Sequence, residues 1–304
     1  MKARRNDTSP ARSDHSRLIL WIAIAIYTFL LPEVIVLYRA IVDRFGKETA
    51  GRIPVVLVLV VGVAYAAAIV LSRRRLENVL FLLPAGMIAL MIIGLEPNPN
   101  KHIHIPEYVL AAWLLYAVLS KDYQGSGLLR LVFVCGALLG VVDELEQGIH
   151  PKRFYGWSDM LVNSASVLIG IFTIMGLKGQ TAGGWAWTAR LRQFRWPVAL
   201  GLFGMIGITI TCVYLFRVQA RETVTGVYPA WLVAWNLLYL LSAPFIGAFG
   251  SSQRAAPGGN RGQRALLAAA ETRTARLWIL PVLVILLYMH ALAFYIYSSG
   301  TPFR

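Results

Sequence analysis

The sequence predicts an all-α, polytopic integral membrane protein with about nine transmembrane helices. Its 304 residues are 57% hydrophobic and only 14% charged, whereas a soluble globular domain carries about 25% charged residues. The hydrophobic residues form long runs, most of which can cross a hydrocarbon core of about 30 Å as a helix. Runs of this length favour helices over the short alternating strands of a membrane barrel.

These apolar runs define nine candidate spans. The first is too long for the apolar region of a signal peptide, and no small-residue cleavage site follows it, so we expect an uncleaved span. The fourth is short for a full crossing. The runs cover residues 18–42, 54–71, 79–95, 105–119, 128–148, 161–177, 197–216, 228–249 and 277–297.

The same pattern divides the chain into four segments. Residues 1–17 are polar and basic, which predicts a disordered cytoplasmic tail. Residues 18–53 form the first transmembrane helix and an outer loop, and residues 54–178 form a helical membrane domain that holds most of the polar groups. Residues 179–304 form a C-terminal membrane region with three further helices, interrupted by a Gly-, Pro- and Ser-containing flexible loop at 250–262.

The basic residues set the predicted orientation. The net charge of +14 is spread over segments between the apolar runs, so we expect membrane lipids and no nucleic acid as partners. With the N-terminus inside, roughly two thirds of the lysines and arginines fall on the cytoplasmic side, which predicts an N-in, C-out topology. The loops at 98–106 and 148–158 then lie on the outer face.

Polar side chains concentrate between Asn98 and Gly170, in an otherwise apolar sequence. Because isolated charges at the edge of a hydrocarbon core are costly, we expect them to converge into one outer-face cluster. The candidate functional residues are Lys101, His104, Glu107, Tyr108, Asp143, Glu144, Gln147, Arg153, Asp159 and Asn163.

Local spacing places several of these residues. His104, Glu107 and Tyr108 are spaced i, i+3, i+4 and share one face of a helix, with a proline in its first turn. Gly148 is predicted to cap the C-terminus of the fifth helix. Asp159 or the serine before it is predicted to cap the N-terminus of the sixth.

A stripe of polar and small residues follows along the sixth helix. Asn163, Ser166 and Gly170 continue the spacing that starts at Asp159. Small residues let two membrane helices approach closely. The stripe therefore predicts a contact with the fourth or fifth helix.

Two segments resemble the signature motifs of the VanZ-like family. Residues 100–108, N-K-H-I-H-I-P-E-Y, resemble its D-K-x-x-H-[FI]-x-x-[YF] motif. Residues 140–170 resemble its second motif, D-E-x-x-Q from Asp143, then P-x-R, D-x-x-x-N and a glycine. The resemblance covers residues 54–177, with Asn100 in place of aspartate and Ser166 where glycine is common. It implies a multi-pass protein of the bacterial cytoplasmic membrane, in a family named after a protein linked to low-level teicoplanin resistance.

Three functions remain open from the sequence. The first is an envelope protein whose outer polar pocket binds, or protects against, a glycopeptide or a lipid or cell-wall ligand. The second is an enzyme that acts on a lipid-linked substrate, with His104 and Glu144 as acid and base. The third is a transporter. The position of the charges argues against it, because they gather at one face rather than near the midplane of two matched halves.

No metal or other cofactor is expected. A metal bound by His104 with Glu144 and Asp159 is the alternative to a simple hydrogen-bonded network, but the chain has no compact ligand motif. Cys135 and Cys212 lie inside apolar runs and are predicted to be buried free thiols.

Overall fold

The structure is all-helical, as the sequence predicts. The computed structural model describes residues 10–72, 76–123, 127–151, 153–179, 186–220, 228–251, 263–299 and 303, and every regular element in these ranges is a helix. Short 3₁₀ helices cover Leu76–Phe81, Pro99–Ile103 and Ala186–Phe194. The α-helices are α1 Pro10–Phe45, α2 Lys47–Leu71, α3 Leu82–Leu95, α4 His104–Asp122, α5 Leu128–Ile149, α6 Trp157–Lys178, α7 Arg195–Ala220, α8 Ala230–Leu240, α9 Ala243–Ser251 and α10 Gln263–Ser299.

Within the described residues, seven helical segments are long and apolar enough to cross a membrane, which indicates a multi-pass membrane protein. They correspond to seven of the nine predicted spans. The first and fifth runs are not among them, because the apolar stretch of α1 is only Leu18–Leu31 and α5 carries acidic residues in its last turns. The seven are Glu48–Leu71, Glu77–Leu95, Lys101–Lys121, Trp157–Lys178, Trp187–Gln219, Ala230–Ser251 and Glu271–Ser299.

Three sequence predictions fall partly or wholly outside the described residues. Residues 1–9 of the predicted disordered tail are not described, but α1 begins at Pro10, so the described part of that tail is helical. Residues 252–262 of the predicted flexible loop are not described either. The side chain of Asn100 also lies outside what the structure describes.

The predicted C-cap of α5 is wrong. The helix continues past Gly148 to Ile149, and His150 is its C-cap. Gly148 has a different role, because the ring of Phe303 packs so closely on it that a Cβ atom would overlap the ring. The glycine therefore makes room for the Phe303 ring at this end of the bundle.

The predicted N-cap of α6 is also wrong. The helix begins at Trp157 with Gly156 as N-cap, and no side chain makes a capping hydrogen bond there. Ser158 and Asp159 lie inside the first turn instead. The Asp159 carboxylate faces the Lys101 ammonium group, so an ion pair takes the place of the expected cap.

The packing prediction for α6 is confirmed. Asn163 and Ser166 are fully buried. A Cβ atom on Gly170 would lie 2.6 Å from the Cβ of Ala112 in α4, and the Cβ of Asn163 lies 2.9 Å from the Cβ position of Gly140 in α5. Helix α6 is thus held between α4 and α5, with backbones in close approach.

We expect Gly170→Leu to lower the stability of the detergent-solubilised protein. The larger side chain has no space against Ala112, and overpacking typically costs about 1–3 kcal/mol. Thermal unfolding and membrane yield measure the effect. The matched control is Gly94→Leu in α3, where nothing lies within 4 Å of the added Cβ; equal melting temperatures for the two variants would contradict the close packing.

Candidate functional site

Three helices bring their polar residues together at one end of the bundle. The start of α4, the end of α5 and the start of α6 meet there. One ring nitrogen of His104 and one carboxylate oxygen each of Glu144 and Asp159 all lie within 4.8 Å of one another. None of these three residues is more than 6% exposed. The predicted convergence of the polar groups is therefore present in the structure.

The face of α4 that enters this cluster is the one predicted from the spacing. His104 is the first residue of the helix, after a 3₁₀ turn. Its Nδ1 lies 3.0 Å from Oε2 of Glu107, and its ring centroid lies 6.4 Å from that of Tyr108. The Tyr108 hydroxyl donates to Oδ2 of Asp143 at 3.1 Å, which links α4 to α5.

Arg153 enters the cluster from the loop between α5 and α6. It is buried, and its guanidinium group donates to Oε1 of Gln147. The backbone N–H of Gly156, from the same loop, donates to Oε2 of Glu144 at 2.8 Å. Burial lowers the pKa of the Arg153 guanidinium, while the carboxylate charges of Asp143 and Glu144 act in the opposite direction.

Lys101 connects the segment before α4 to the start of α6. Its ammonium nitrogen lies 2.7 Å from Oδ1 of Asp159 and 3.3 Å from Oε2 of Glu96, and it donates to the Ser158 hydroxyl at 2.9 Å. Sequence reasoning missed Glu96 as a member of this network. Its position just before the predicted outer loop at 98–106, which holds Lys101, was the available signal.

Asn163 serves helix packing. It lies one turn beyond Asp159 in α6 and is fully buried. Its amide donates to the carbonyl oxygen of Gly140 at 3.5 Å. The residue therefore joins α5 to α6 below the charged groups.

A small cavity opens beside the cluster, and we call it the polar pocket. Its volume is about 120 Å³, less than one third of the volume of about 420 Å³ of the apolar groove described next. It contains three basic side chains, of which Arg39 comes from α1 and was not identified from the sequence. The lining residues are Arg39, Asn98, Lys101, His104, Arg153, Phe154 and Asp159.

A larger cavity of about 420 Å³ lies among α2, α3, α4 and α6, and we call it the apolar groove. Its lining is almost entirely aliphatic, with Gly86 and Ala89 of α3 on one side. Ile105 and Pro106 of α4 also line it, and they directly follow His104 of the polar pocket. The first turn of α4 therefore contributes to both cavities.

A second buried polar group lies in the C-terminal half and was not predicted. Nδ1 of His290 in α10 lies 2.7 Å from Oδ1 of Asn236 in α8, and its Nε2 lies 3.1 Å from the carbonyl oxygen of Gly204 in α7. Asn236 also donates to the carbonyl oxygen of Leu232 at 2.8 Å. These contacts join three helices, so the group has a packing role.

Comparison of the chain with models of protein families, with curated proteins and with solved structures finds no match.

We expect Lys101→Met to lower the free energy of unfolding by about 1–3 kcal/mol, since it leaves the buried Asp159 carboxylate without its cation. Chemical denaturation in detergent measures the change. The control is Arg52→Met, which removes an exposed pair with Glu48 and is expected to cost no more than about 0.5 kcal/mol. A cost for Lys101→Met as small as that of the control would show that the cluster does not depend on this ion pair.

Proposed function

We propose that this chain is a VanZ-like multi-pass protein of the bacterial cytoplasmic membrane that binds a phosphate-bearing lipid at its outer face. The ligand class includes membrane phospholipids and lipid-linked cell-wall precursors, which share a phosphate group and a hydrocarbon chain. The observation that supports this proposal most strongly is the meeting of the polar pocket and the apolar groove at the first turn of α4. An amphiphile needs both kinds of surface side by side.

The polar pocket suits the phosphate. Arg39, Lys101 and Arg153 supply three cationic side chains, and a guanidinium group matches the geometry of phosphate oxygens. The pocket volume of about 120 Å³ accommodates a phosphate group but not a whole glycopeptide. Protection against a glycopeptide would then follow from holding a lipid-linked precursor rather than the antibiotic itself.

The apolar groove suits the hydrocarbon chain. Its volume of about 420 Å³ falls in the range of about 300–1,000 Å³ that is usual for small-molecule sites. Only Tyr65 and Thr173 contribute side-chain hydroxyls to its lining. A hydrocarbon chain in the groove exchanges its contacts with the surrounding lipid for contacts with apolar side chains, and it needs no polar partner.

We further propose nine transmembrane helices, with the N-terminus inside and the site outside. Helix α5 has 22 residues, about 33 Å at 1.5 Å per residue, so it is long enough to cross while its acidic end stays in the cluster. Glu33 of α1 lies 3.3 Å from His150, and Tyr155 donates to the carbonyl oxygen of Cys212 in α7. These contacts bring α1 and α7 to the site end in the order that alternate crossings require.

A second candidate function is acid–base catalysis on the same lipid-linked substrate. The observation that favours it is the pairing of His104 Nδ1 with Glu107, because a carboxylate at one ring nitrogen orients the other toward a reacting group. Nε2 of His104 would then act as the base, and Glu144, with a carboxylate oxygen within 4.8 Å of a His104 ring nitrogen, would act as the acid. Turnover of the bound lipid, detected as a new product by mass spectrometry, would favour this function over binding alone.

We expect Gly86→Leu to weaken lipid binding at least about tenfold, a loss of about 1.4 kcal/mol. The Cβ atom meets nothing within 4 Å, so the side chain enters the apolar groove without disturbing the fold. Native mass spectrometry and titration of a fluorescent undecaprenyl phosphate measure the binding. Gly94→Leu, on the same helix but outside the groove, is the control.

The head group is tested separately with Arg39→Gln, and Arg52→Gln serves as an exposed control outside the pocket. Arg39→Gln should weaken undecaprenyl phosphate and phosphatidylglycerol while leaving a neutral diacylglycerol unchanged; the tighter of the two anionic ligands identifies the source. Inorganic phosphate should compete with the lipid if the head group supplies most of the binding free energy. Binding that is indifferent to both Gly86→Leu and Arg39→Gln, or teicoplanin binding in place of lipid, would overturn the proposal.

Topology is tested with single cysteines in spheroplasts. Phe154→Cys lies in the α5–α6 loop, where Phe154 is 64% exposed, and a membrane-impermeant maleimide should label it from outside. Lys121→Cys, at the exposed far end of α4, should react only after permeabilisation. The reverse pattern would contradict the N-in orientation, and labelling of the parent chain gives the background from Cys135 and Cys212.

A further inference from the structure

We propose that His104, Glu144 and Asp159 bind a divalent transition-metal ion, Zn²⁺ or Mn²⁺. One imidazole nitrogen and two carboxylate oxygens form a ligand set that suits these ions. The ligand atoms come from three different helices and lie within 4.8 Å of one another. This inference goes beyond the proposed lipid binding and does not depend on it.

Each of the three side chains has one polar atom in contact with another part of the protein. Nδ1 of His104 is placed against Glu107 at 3.0 Å. One carboxylate oxygen of Glu144 accepts from the backbone N–H of Gly156 at 2.8 Å. Oδ1 of Asp159 lies 2.7 Å from the Lys101 ammonium nitrogen. Such outer contacts fix the orientation and basicity of metal ligands.

The remaining atoms are the ones that point to a ligand. Nε2 of His104 and Oε1 of Glu144 are buried, and among the described residues neither has a hydrogen-bond partner. Their residues are 2% and 0% exposed. Buried polar atoms are otherwise nearly always paired. A metal ion between them satisfies both at once.

The composition of the site also favours a cation as ligand. The buried carboxyl groups at this end are those of Glu107, Asp143, Glu144 and Asp159. They outnumber the three cationic side chains of the polar pocket, Arg39, Lys101 and Arg153.

The geometry needs only a small adjustment. Metal–ligand distances of about 2.0–2.2 Å place two ligands on opposite sides of an ion at most about 4.4 Å apart. The ligand atoms observed within 4.8 Å of one another are only slightly further apart than that, so binding an ion would require them to move together. His104 and Asp159 also line the polar pocket, so an ion held by them would lie beside the place where we propose that a lipid phosphate binds.

The test uses the full chain in a non-ionic detergent, stripped with a chelator and free of added phosphate. Zn²⁺ and Mn²⁺ are titrated by calorimetry, Co²⁺ by its visible absorption, and metal content is measured by mass spectrometry. The wild-type chain should take up about one ion. Bound Co²⁺ should give a visible absorption spectrum typical of a low coordination number with nitrogen and oxygen ligands. Glu144→Gln and His104→Gln should abolish this uptake.

Two control variants lie close in sequence and outside the ligand set. His102→Gln removes an imidazole whose Nε2 contacts the carbonyl oxygen of Glu96, and Glu146→Gln removes a carboxylate that accepts from Tyr288. Both should bind metal like the wild type. Glu107→Gln changes only the residue that contacts Nδ1 of His104. It should weaken the affinity for the metal ion about 10–100-fold and alter the Co²⁺ spectrum.

The outcomes separate the two proposals. Uptake of no metal by the stripped wild-type chain, or undiminished uptake by Glu144→Gln and His104→Gln, overturns the metal site, even where undecaprenyl phosphate still binds. Stoichiometric uptake that those two variants abolish supports the site, even where lipid binding fails. Titration of the wild-type chain can overturn the metal site by itself, so the test does not depend on whether the variants fold.

Discussion

Charged groups that are buried in an apolar bundle must find partners, and this requirement organises the structure. The ends of α4, α5 and α6 each carry acidic side chains with little or no exposure. Placing an isolated charge in such surroundings costs several kcal/mol. Two of the partners come from outside the three helices: Lys101 of the preceding turn pairs with Asp159, and the Gly156 N–H of the following loop donates to Glu144. These segments are thereby fixed against the bundle.

Close packing of α6 makes that arrangement possible. Gly170 lets α6 approach α4, and Gly140 of α5 gives room to Asn163. With larger residues the helix ends would stand further apart, and the carboxylates would no longer share partners. The polar cluster therefore depends on the small-residue stripe, because the stripe sets the distances between the helices that carry the charged groups.

Most of what is local in this structure could be predicted from the sequence. Hydrophobic runs mark helices directly, and the i, i+3, i+4 spacing placed His104 beside Glu107 because a helical face depends on spacing alone. The two capping predictions were wrong because tertiary contacts decided them. Phe303 occupies the surface of Gly148, and Lys101 competes for the Asp159 carboxylate.

The rest of the site depends on distant segments and carried no local signal. Arg39 reaches the polar pocket from α1, and nothing in the sequence around it distinguishes it from other basic residues between spans. The apolar groove forms among four helices whose individual faces look like ordinary lipid-facing surfaces. Its relation to the polar pocket becomes visible only when Ile105 and His104 are seen on one turn.

The central claim is that the polar residues of α4, α5 and α6 form one buried unit at a single end of the bundle. An electron cryo-microscopy structure of the full chain in a lipid nanodisc tests this claim most directly. The account predicts that the His104 ring and the Glu144 and Asp159 carboxylates lie within about 5 Å of one another, the separation seen here. A structure with His104 and Glu144 more than about 10 Å apart, roughly a Debye length at about 0.1 M salt, would contradict it.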